Sequence, residues 1–144
     1  MDVRSILAVS KASYTTNLGL LFLRVSFGLS LFVKHGFEKI TRFGRMVAGF
    51  PDPFHIGAPL SLSIATASDV FAAVFLVIGF STRPAAFFVA CNILVAWLFV
   101  HHGMFFGKDA DHGEVCVLYI CGFVSVPLCG PGRYSVDALL TARF

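Results

Sequence analysis

Four long apolar runs constrain this chain more than any other feature of its sequence. They cover residues 18–33, 60–80, 85–100 and 115–129, and short segments with charged residues, glycine or proline separate them. A helix needs about 20 residues to cross the hydrocarbon core of a bilayer. Each run reaches or approaches that length once its flanking residues are added, so the pattern predicts four membrane-spanning helices.

The composition excludes most other classes of protein. Apolar residues make up 57% of the 144 residues and charged residues 13%, whereas soluble domains carry about 25% charged residues. A soluble domain of this size could not bury so much apolar surface. The net charge of +3 suits basic loops beside anionic lipids. The lipid bilayer is therefore the expected partner, and a soluble enzyme, a nucleic-acid binder and a secreted disulfide scaffold are not expected.

The predicted fold is an all-α, antiparallel four-helix bundle embedded in the membrane. Its spans lie near 18–39, 60–80, 85–102 and 114–129, and their short connections make successive helices antiparallel neighbours. Residues 1–17 are predicted to form an N-terminal segment with a short interfacial helix, 18–137 the membrane domain and 138–144 a C-terminal tail. The first run lacks a small-residue cleavage site and should remain as a membrane anchor.

The loop charges are nearly balanced between the two sides of the membrane. Each side of the predicted bundle carries five lysines and arginines, so the positive-inside rule is balanced. The side opposite the termini also carries several acidic residues. We expect the termini in the cytoplasm and the chain in a bacterial inner membrane.

Three polar residues interrupt the spans. Arg24, Asp69 and Asn92 lie nine or ten residues from the loop-side ends of their runs, which corresponds to a depth of about 13–15 Å. Ionisable residues at such depth are costly and mark functional sites by default. The sequence predicts an Arg24–Asp69 ion pair with Asn92 as a hydrogen-bonding neighbour. Two compatible interpretations are a pair that fixes helix assembly and a site that lines a polar cavity.

A second set of polar residues gathers at the loop side. His35, Lys39, His101 and Glu114 could hold a quinone head group or relay protons, since such a site needs only one or two donors near the interface. His35, His101 and His102 are weaker candidates for a metal site. Because no HxxxH spacing is present, haem or copper is a less favoured cofactor than quinone.

The chain carries no recognisable catalytic motif. The four cysteines lie in or beside apolar runs without a CxxC spacing, so we interpret them as reduced packing residues. No nucleophile with a base, phosphate-binding glycine loop or dinucleotide fingerprint is evident. An oxidoreductase subunit is compatible with this pattern, whereas independent catalysis is not predicted.

Several sequence pieces resemble the DoxX family of small membrane proteins over residues 18–140. They are 23–25, 32–39, 70–79, 79–86, 92–103 and, most specifically, the ending Gly-Pro-Gly-Arg-Tyr-Ser-Val-Asp at 130–137. Asp69 stands near the place where many members have glutamate. The resemblance implies a four-helix membrane fold, and it places Arg24, His35, Lys39, Asp69, His101 and Glu114 at the matching polar positions.

The resemblance also directs the functional hypothesis. The family takes its name from a subunit of a thiosulfate:quinone oxidoreductase, and other members are linked to thiol and oxidative-stress systems. We therefore expect a membrane subunit of such a redox system, with a partner redox enzyme and a homo-oligomer as candidate partners. The alternatives are a transporter of a small molecule or metal ion and a non-catalytic scaffold for a partner enzyme.

Overall fold

The chain folds into five helices within the residues that the computed structural model describes, which are 13–105 and 113–142. The helices are α1 (Tyr14–Gly49), α2 (Ala58–Ile78), α3 (Thr82–Val100), α4 (Gly113–Cys129) and the short α5 (Val136–Thr141). The described residues contain no strand. The prediction of an all-α chain is therefore confirmed for this part of the sequence.

Local sequence signals set the helix ends. Ser13 caps α1, since its side chain accepts a hydrogen bond from the Thr16 N–H at 3.2 Å. Gly79 ends α2 in the left-handed conformation, with φ +74°, which glycine adopts without steric cost. Gly130 has φ +88° and follows the last residue of α4. The end of α4 thus agrees with the predicted end of the fourth span at residue 129.

The helices differ in length from the predicted spans. α1, α2 and α3 are long and apolar enough to cross a membrane, whereas α4 is apolar but has 17 residues. α1 runs beyond the predicted end at residue 39 through the amphipathic stretch Phe37–Met46. Residues 1–12 of the predicted interfacial helix lie outside the described residues, and 14–17 belong to α1. Part of the predicted C-terminal tail, residues 138–141, lies within α5.

Each of the three long helices contains a π-helical stretch. These stretches are Phe32–Gly36 in α1, Ala67–Ala72 in α2 and Ala96–Val100 in α3. π turns are rare, and they occur frequently at functional sites. Their recurrence in three helices draws attention to the space between these helices.

The helices pack around one apolar core. α1 packs against α2 and α4, and α3 packs against α2 and α4. The fully buried side chains at the centre include Ala73, Leu76, Val89, Phe123 and Val126. The Phe27 ring makes edge contacts with Tyr119 and Phe123 between α1 and α4.

Two glycines let α1 approach α2 closely. A β-carbon at Gly28 would lie 2.9 Å from the Val77 side chain and 3.0 Å from the Ala73 carbonyl, and one at Gly36 would collide with the Asp69 carbonyl. These contacts show that α1 and α2 run in opposite directions. In this register, residue 28 of α1 faces residue 77 of α2, and residue 36 faces residue 69.

The first half of α2 leans toward the end of α1. Residues Ala58–Thr66 pack against Phe37–Gly49, whereas α3 packs mainly against the later part of α2, Ala67–Ile78. The first half of α2 and the second half of α3 therefore diverge. The space between them opens into the cavity that forms the candidate site.

Candidate ligand-binding cavity

A cavity of about 730 Å³ lies between the helices, toward the end of the molecule that carries the α1–α2 loop. Its volume falls in the range of small-molecule sites, about 300–1,000 Å³. Most of its surface is apolar. The polar side chains that line it are His35, Lys39, Arg45, Ser61, Asp69, Asn92 and His101.

Lys39, Asp69 and Asn92 form a buried polar triad on three different helices. The Lys39 Nζ lies 2.5 Å from Asp69 Oδ2, and the Asn92 Nδ2 donates a hydrogen bond to Asp69 Oδ1 at 3.3 Å. The side chains of Lys39 and Asp69 are only 12% and 6% exposed. Because an ammonium group has three N–H donors, Lys39 can bind a ligand atom without leaving Asp69.

The π turns explain how the triad is assembled. Asp69 belongs to the π turn of α2, and Gly36 of α1 lies directly against its carbonyl. Lys39 follows Gly36 by three residues and therefore projects from nearly the same face of the helix. The close approach of the two backbones brings the Lys39 ammonium to the Asp69 carboxylate.

Only some of the predicted loop-side residues lie in the cavity. His35 and His101 line the cavity together with Lys39, and both are half-buried. Glu114 lies on the exposed surface of α4 and is not part of the lining. His102 is exposed, with φ +53°, and is also outside the lining. Three of the four predicted quinone or proton-relay residues therefore meet in one cavity.

The predicted metal candidates do not form a ligand set. Within residues 13–105 and 113–142, no group of three His, Cys, Asp or Glu side chains is arranged to hold a metal ion. His35 and His101 share the cavity, but His102 does not join them.

The prediction that Arg24 forms the ion pair with Asp69 was wrong. Asp69 forms its ion pair with Lys39. The prediction placed the loop-side end of the first span near Lys34, but α1 continues to Gly49. In the observed register, Gly36 is level with Asp69, and Arg24 is level with the Gly79 turn. Arg24 and Asp69 are thus about eleven residues out of register, or about 16 Å along the helix axis.

Arg24 instead belongs to a second polar cluster, at the C-terminal end of α2, which we call the terminal clasp (Arg24, Tyr134, Asp137). Arg24 is 1% exposed, and it donates to the Tyr134 carbonyl at 2.6 Å and the Leu76 carbonyl at 3.4 Å. Asp137 interacts electrostatically with Arg24 and accepts hydrogen bonds from the backbone N–H groups of Ser81 and Thr82.

No role for Asp137 was predicted from the sequence. Its position after Ser135, which caps α5 through the Ala138 N–H at 3.1 Å, is typical of an acidic residue in a first helical turn. That signal places Asp137 at a helix start. It does not connect Asp137 with Arg24, which is more than 100 residues away in the chain.

The loop between α1 and α2 forms one end of the cavity. Asp52 holds this loop, since its carboxylate accepts hydrogen bonds from the Ser61 hydroxyl at 2.7 Å and the N–H groups of Gly57 at 2.8 Å and Ile56 at 3.1 Å. These bonds, led by that from Ser61, lower the pKa of Asp52 from its usual value of 3.8. The loop is therefore anchored by a carboxylate that is ionised at neutral pH.

The same loop reaches across to α3. The rings of Phe54 and Phe99 lie 5.6 Å apart, and Phe50, Pro51 and Pro53 line the cavity. From the sequence, this loop was predicted only as a connection between two spans. Its role as a wall depends on the fold of α2 back against α1.

Comparison with known proteins identifies the family. The DoxX family model matches residues 19–102, which is more than half of the chain. The chain belongs to the DoxX family. The matched part of this DoxX protein contains His35, the polar triad and His101, and it ends before α4. The resemblance drawn from the sequence pieces is thus confirmed.

One relative of this DoxX protein is an uncharacterized protein from Haemophilus influenzae. The two are 29% identical over 121 residues, which cover 82% of this chain and 87% of the relative. No solved structure matches the chain.

Proposed function

We propose that this DoxX protein binds the head group of a quinone in its cavity and acts as the membrane subunit of a quinone-linked redox or thiol/oxidative-stress system. The observation that carries the proposal is the polar triad, Lys39–Asp69–Asn92, set within an otherwise apolar cavity of about 730 Å³. A quinone ring combines flat apolar faces with two carbonyl acceptors. Apolar walls with a few convergent donors are what such a ligand requires.

Each polar residue has a role in this proposal. Lys39 donates a hydrogen bond to one quinone carbonyl, Asp69 holds the ammonium in place, and Asn92 donates to the other oxygen of Asp69. Reduction of a quinone to a quinol takes two electrons and two protons. His35 and His101 are suited to supply the protons, because imidazole exchanges protons near neutral pH. A partner redox enzyme supplies the electrons.

The proposal includes a membrane arrangement. α1 to α4 cross the bilayer as an antiparallel bundle in a bacterial inner membrane, with cytoplasmic termini, and the cavity lies in the outer half. Three helices with the length and hydropathy of membrane spans support this arrangement. α4 is shorter, but a 17-residue apolar helix lies at the lower end of the length range for spans.

The test uses the chain in phospholipid nanodiscs. The probe is the quinone 2,3-dimethoxy-5-methyl-6-decyl-1,4-benzoquinone, and the signal is quenching of Trp97, the single tryptophan of the chain. Trp97 follows Ala96, which lines the cavity. We expect saturable quenching. Lys39→Met should weaken binding about tenfold or more, as expected for the loss of a hydrogen bond from a charged donor.

Arg42→Met is the matched control. Arg42 is three residues from Lys39 on the same helix and is exposed, where it pairs with Glu38 at 2.9 Å. It should bind the quinone as the wild type does. Asn92→Ala, which keeps both charges of the pair, provides a second cavity variant if Lys39→Met does not fold. Non-saturable quenching, or equal affinity in the wild type and both cavity variants, would exclude the quinone site.

Transport and scaffolding remain alternative hypotheses with different outcomes. Uptake of a solute into proteoliposomes would indicate a transporter. Stable recovery of the chain with a partner enzyme, without quinone binding, would indicate a scaffold.

A further inference from the structure

The cavity opens sideways between α2 and α3. Ile64 on α2 and Phe88 and Cys91 on α3 line the cavity, and all three are also exposed on the outer surface of the bundle. Ile64 is 40% exposed and Phe88 is 39% exposed. We call the opening between these three residues the lateral crevice.

The divergence of the two helices creates the lateral crevice. The first half of α2 packs against the end of α1, and α3 packs mainly against the second half of α2. At the loop end, the Phe54 and Phe99 rings bridge the gap. The crevice thus leads outward between these rings and the part of α2 that packs on α3.

The surface of the lateral crevice is apolar and therefore suits a hydrocarbon chain better than water. Its walls are aliphatic, aromatic and thiol side chains, whereas Lys39, Asp69 and Asn92 lie deeper in the same cavity. When α2 and α3 span a bilayer, the outer end of the crevice contacts lipid chains. A molecule dissolved in the bilayer can therefore reach the polar triad without passing through water.

We infer that the cavity takes a ligand with a long hydrocarbon chain, which enters from the bilayer and leaves its chain in the lateral crevice. The inference rests on the proposed function for the position of the head group. Beyond the proposed function, the ligand is a lipid-soluble quinone, and Ile64, Phe88 and Cys91 select for its hydrocarbon chain. The continuity of the crevice with the polar triad in one cavity supports this assignment.

The experiment compares two quinones that differ in one substituent. Both carry the same 2,3-dimethoxy-5-methyl-1,4-benzoquinone ring, and the sixth position holds either a decyl chain or a methyl group. Both rings are fully substituted, so neither has a free position for addition of a thiol. Binding is measured from the distribution of each quinone between nanodiscs that contain the protein and empty nanodiscs. It is expressed as a mole fraction of quinone in the bilayer, which corrects for partitioning, and it does not depend on tryptophan fluorescence.

Cys91→Trp is the variant that fills the crevice, and Cys121→Trp is its matched control. Cys121 is an exposed cysteine on α4 that does not line the cavity. Cys91→Trp should weaken binding of the decyl quinone about tenfold more than binding of the methyl quinone, since about two methylenes lose their apolar contacts. Cys121→Trp should leave both affinities unchanged.

The outcomes separate this inference from the proposed function. If both quinones bind the wild type equally and Cys91→Trp affects them equally, the crevice does not hold the chain, although the head-group site stands. If neither quinone binds the wild type, the proposed function fails first. A greater loss for the decyl quinone supports the crevice.

A labelling measurement keeps the inference testable if Cys91→Trp does not fold. Two variants each retain one cysteine, at position 91 or 121, and are labelled with N-ethylmaleimide in nanodiscs. The decyl quinone should slow labelling of Cys91 several-fold more than the methyl quinone does, and it should not affect Cys121. Equal protection by the two quinones at Cys91 would overturn the inference.

Discussion

At the scale of single residues, the Lys39–Asp69 pair decides the chemistry of the cavity. Removing two charges from water is costly, and the attraction between them offsets this cost only with close contact and further hydrogen bonds. Asp69 has both, since Lys39 and Asn92 each bind one of its oxygens. A lone cation at this depth would be strongly disfavoured. The pair therefore keeps a hydrogen-bond donor available inside an apolar cavity.

Removal of one member of this pair should destabilise the protein more than removal of both. Lys39→Met leaves the Asp69 carboxylate buried without its cation, and we expect a loss of about 3–5 kcal/mol in the free energy of unfolding. The double variant Lys39→Met/Asp69→Asn should recover part of this loss. The measurement is unfolding in mixed micelles with increasing dodecyl sulfate.

The exposed pair Glu38–Arg42 gives the reference for this prediction. Its side chains are 49% and 61% exposed, and such i,i+4 pairs contribute less than about 1 kcal/mol. A loss from Lys39→Met no greater than that from Arg42→Met would contradict the role assigned to the buried pair.

Arg24 is more deeply buried than the Lys39–Asp69 pair and serves a different part of the molecule. Its guanidinium holds the Tyr134 and Leu76 carbonyls, and so it fixes the segment after α4 against the end of α2. Arg24→Met should lower the free energy of unfolding by about 3 kcal/mol. It should also speed cleavage by trypsin after Arg133, which is exposed but lies in the segment that Arg24 holds. Folded Arg24→Met should still bind the quinone, since Arg24 does not line the cavity. Selective loss of quinone binding with normal stability would instead assign Arg24 to the ligand site.

At the scale of secondary-structure elements, the π turns connect the helices with the cavity. The turn in α1 contains His35, the turn in α2 contains Asp69, and the turn in α3 ends one residue before His101. Each widened turn shifts the following side chains around the helix axis relative to a regular α-helix. The polar residues of the cavity are therefore positioned by local departures from α-helical geometry.

Gly36→Ala should separate α1 from α2 at this point. The added methyl group would collide with the Asp69 carbonyl, so we expect a loss of about 1–3 kcal/mol from overpacking together with weaker quinone binding. Gly44→Ala is the control, because nothing lies within 4 Å of its β-carbon position. It should be neutral or stabilise α1 by up to about 1 kcal/mol. Equal stability and binding in the two variants would show that the close approach is not required.

At the scale of the whole molecule, two polar clusters lie at different levels of the bundle, one beside the middle of α2 and one at its C-terminal end. The triad joins α1, α2 and α3 beside the loop of residues 50–57, and the terminal clasp joins α1, the turn after α2 and the segment 130–137. The clasp connects the chain after α4 with the turn between α2 and α3. This arrangement places the described C-terminal residues at the same end of the bundle as Tyr14.

Fusions of alkaline phosphatase in a bacterial host test the membrane arrangement, because this enzyme is active only outside the cytoplasm. A fusion after Gly49 should be active and one after Thr141 inactive, since one crossing precedes the first site and four precede the second. The same result at both sites would exclude a fourth crossing by α4. The reverse pattern would keep four crossings and contradict cytoplasmic termini.

The sequence sufficed for those features that depend on local pattern. Long apolar runs require helices in a membrane, because backbone N–H and C=O groups must be satisfied within each segment. The stop after Cys129 and the turn near residues 79–84 follow from glycine and proline in the same local way. The sequence also marked Lys39, Asp69, Asn92, His35 and His101 as unusual, since polar residues in or beside apolar runs are costly.

Only the tertiary structure decided which polar residues meet. The register between α1 and α2 depends on where Gly28 and Gly36 permit close approach of the two backbones. The pattern of apolar and polar residues along the chain does not reveal which residues of α2 these glycines contact. A shift of about eleven residues exchanged Lys39 for Arg24 as the partner of Asp69. In the same packing, Glu114 lies outside the cavity and Asp137 lies near Arg24. The cost of burying a polar side chain thus allows unusual polar positions to be identified from the sequence. Which of these side chains pair depends on how the surfaces of the helices pack against each other.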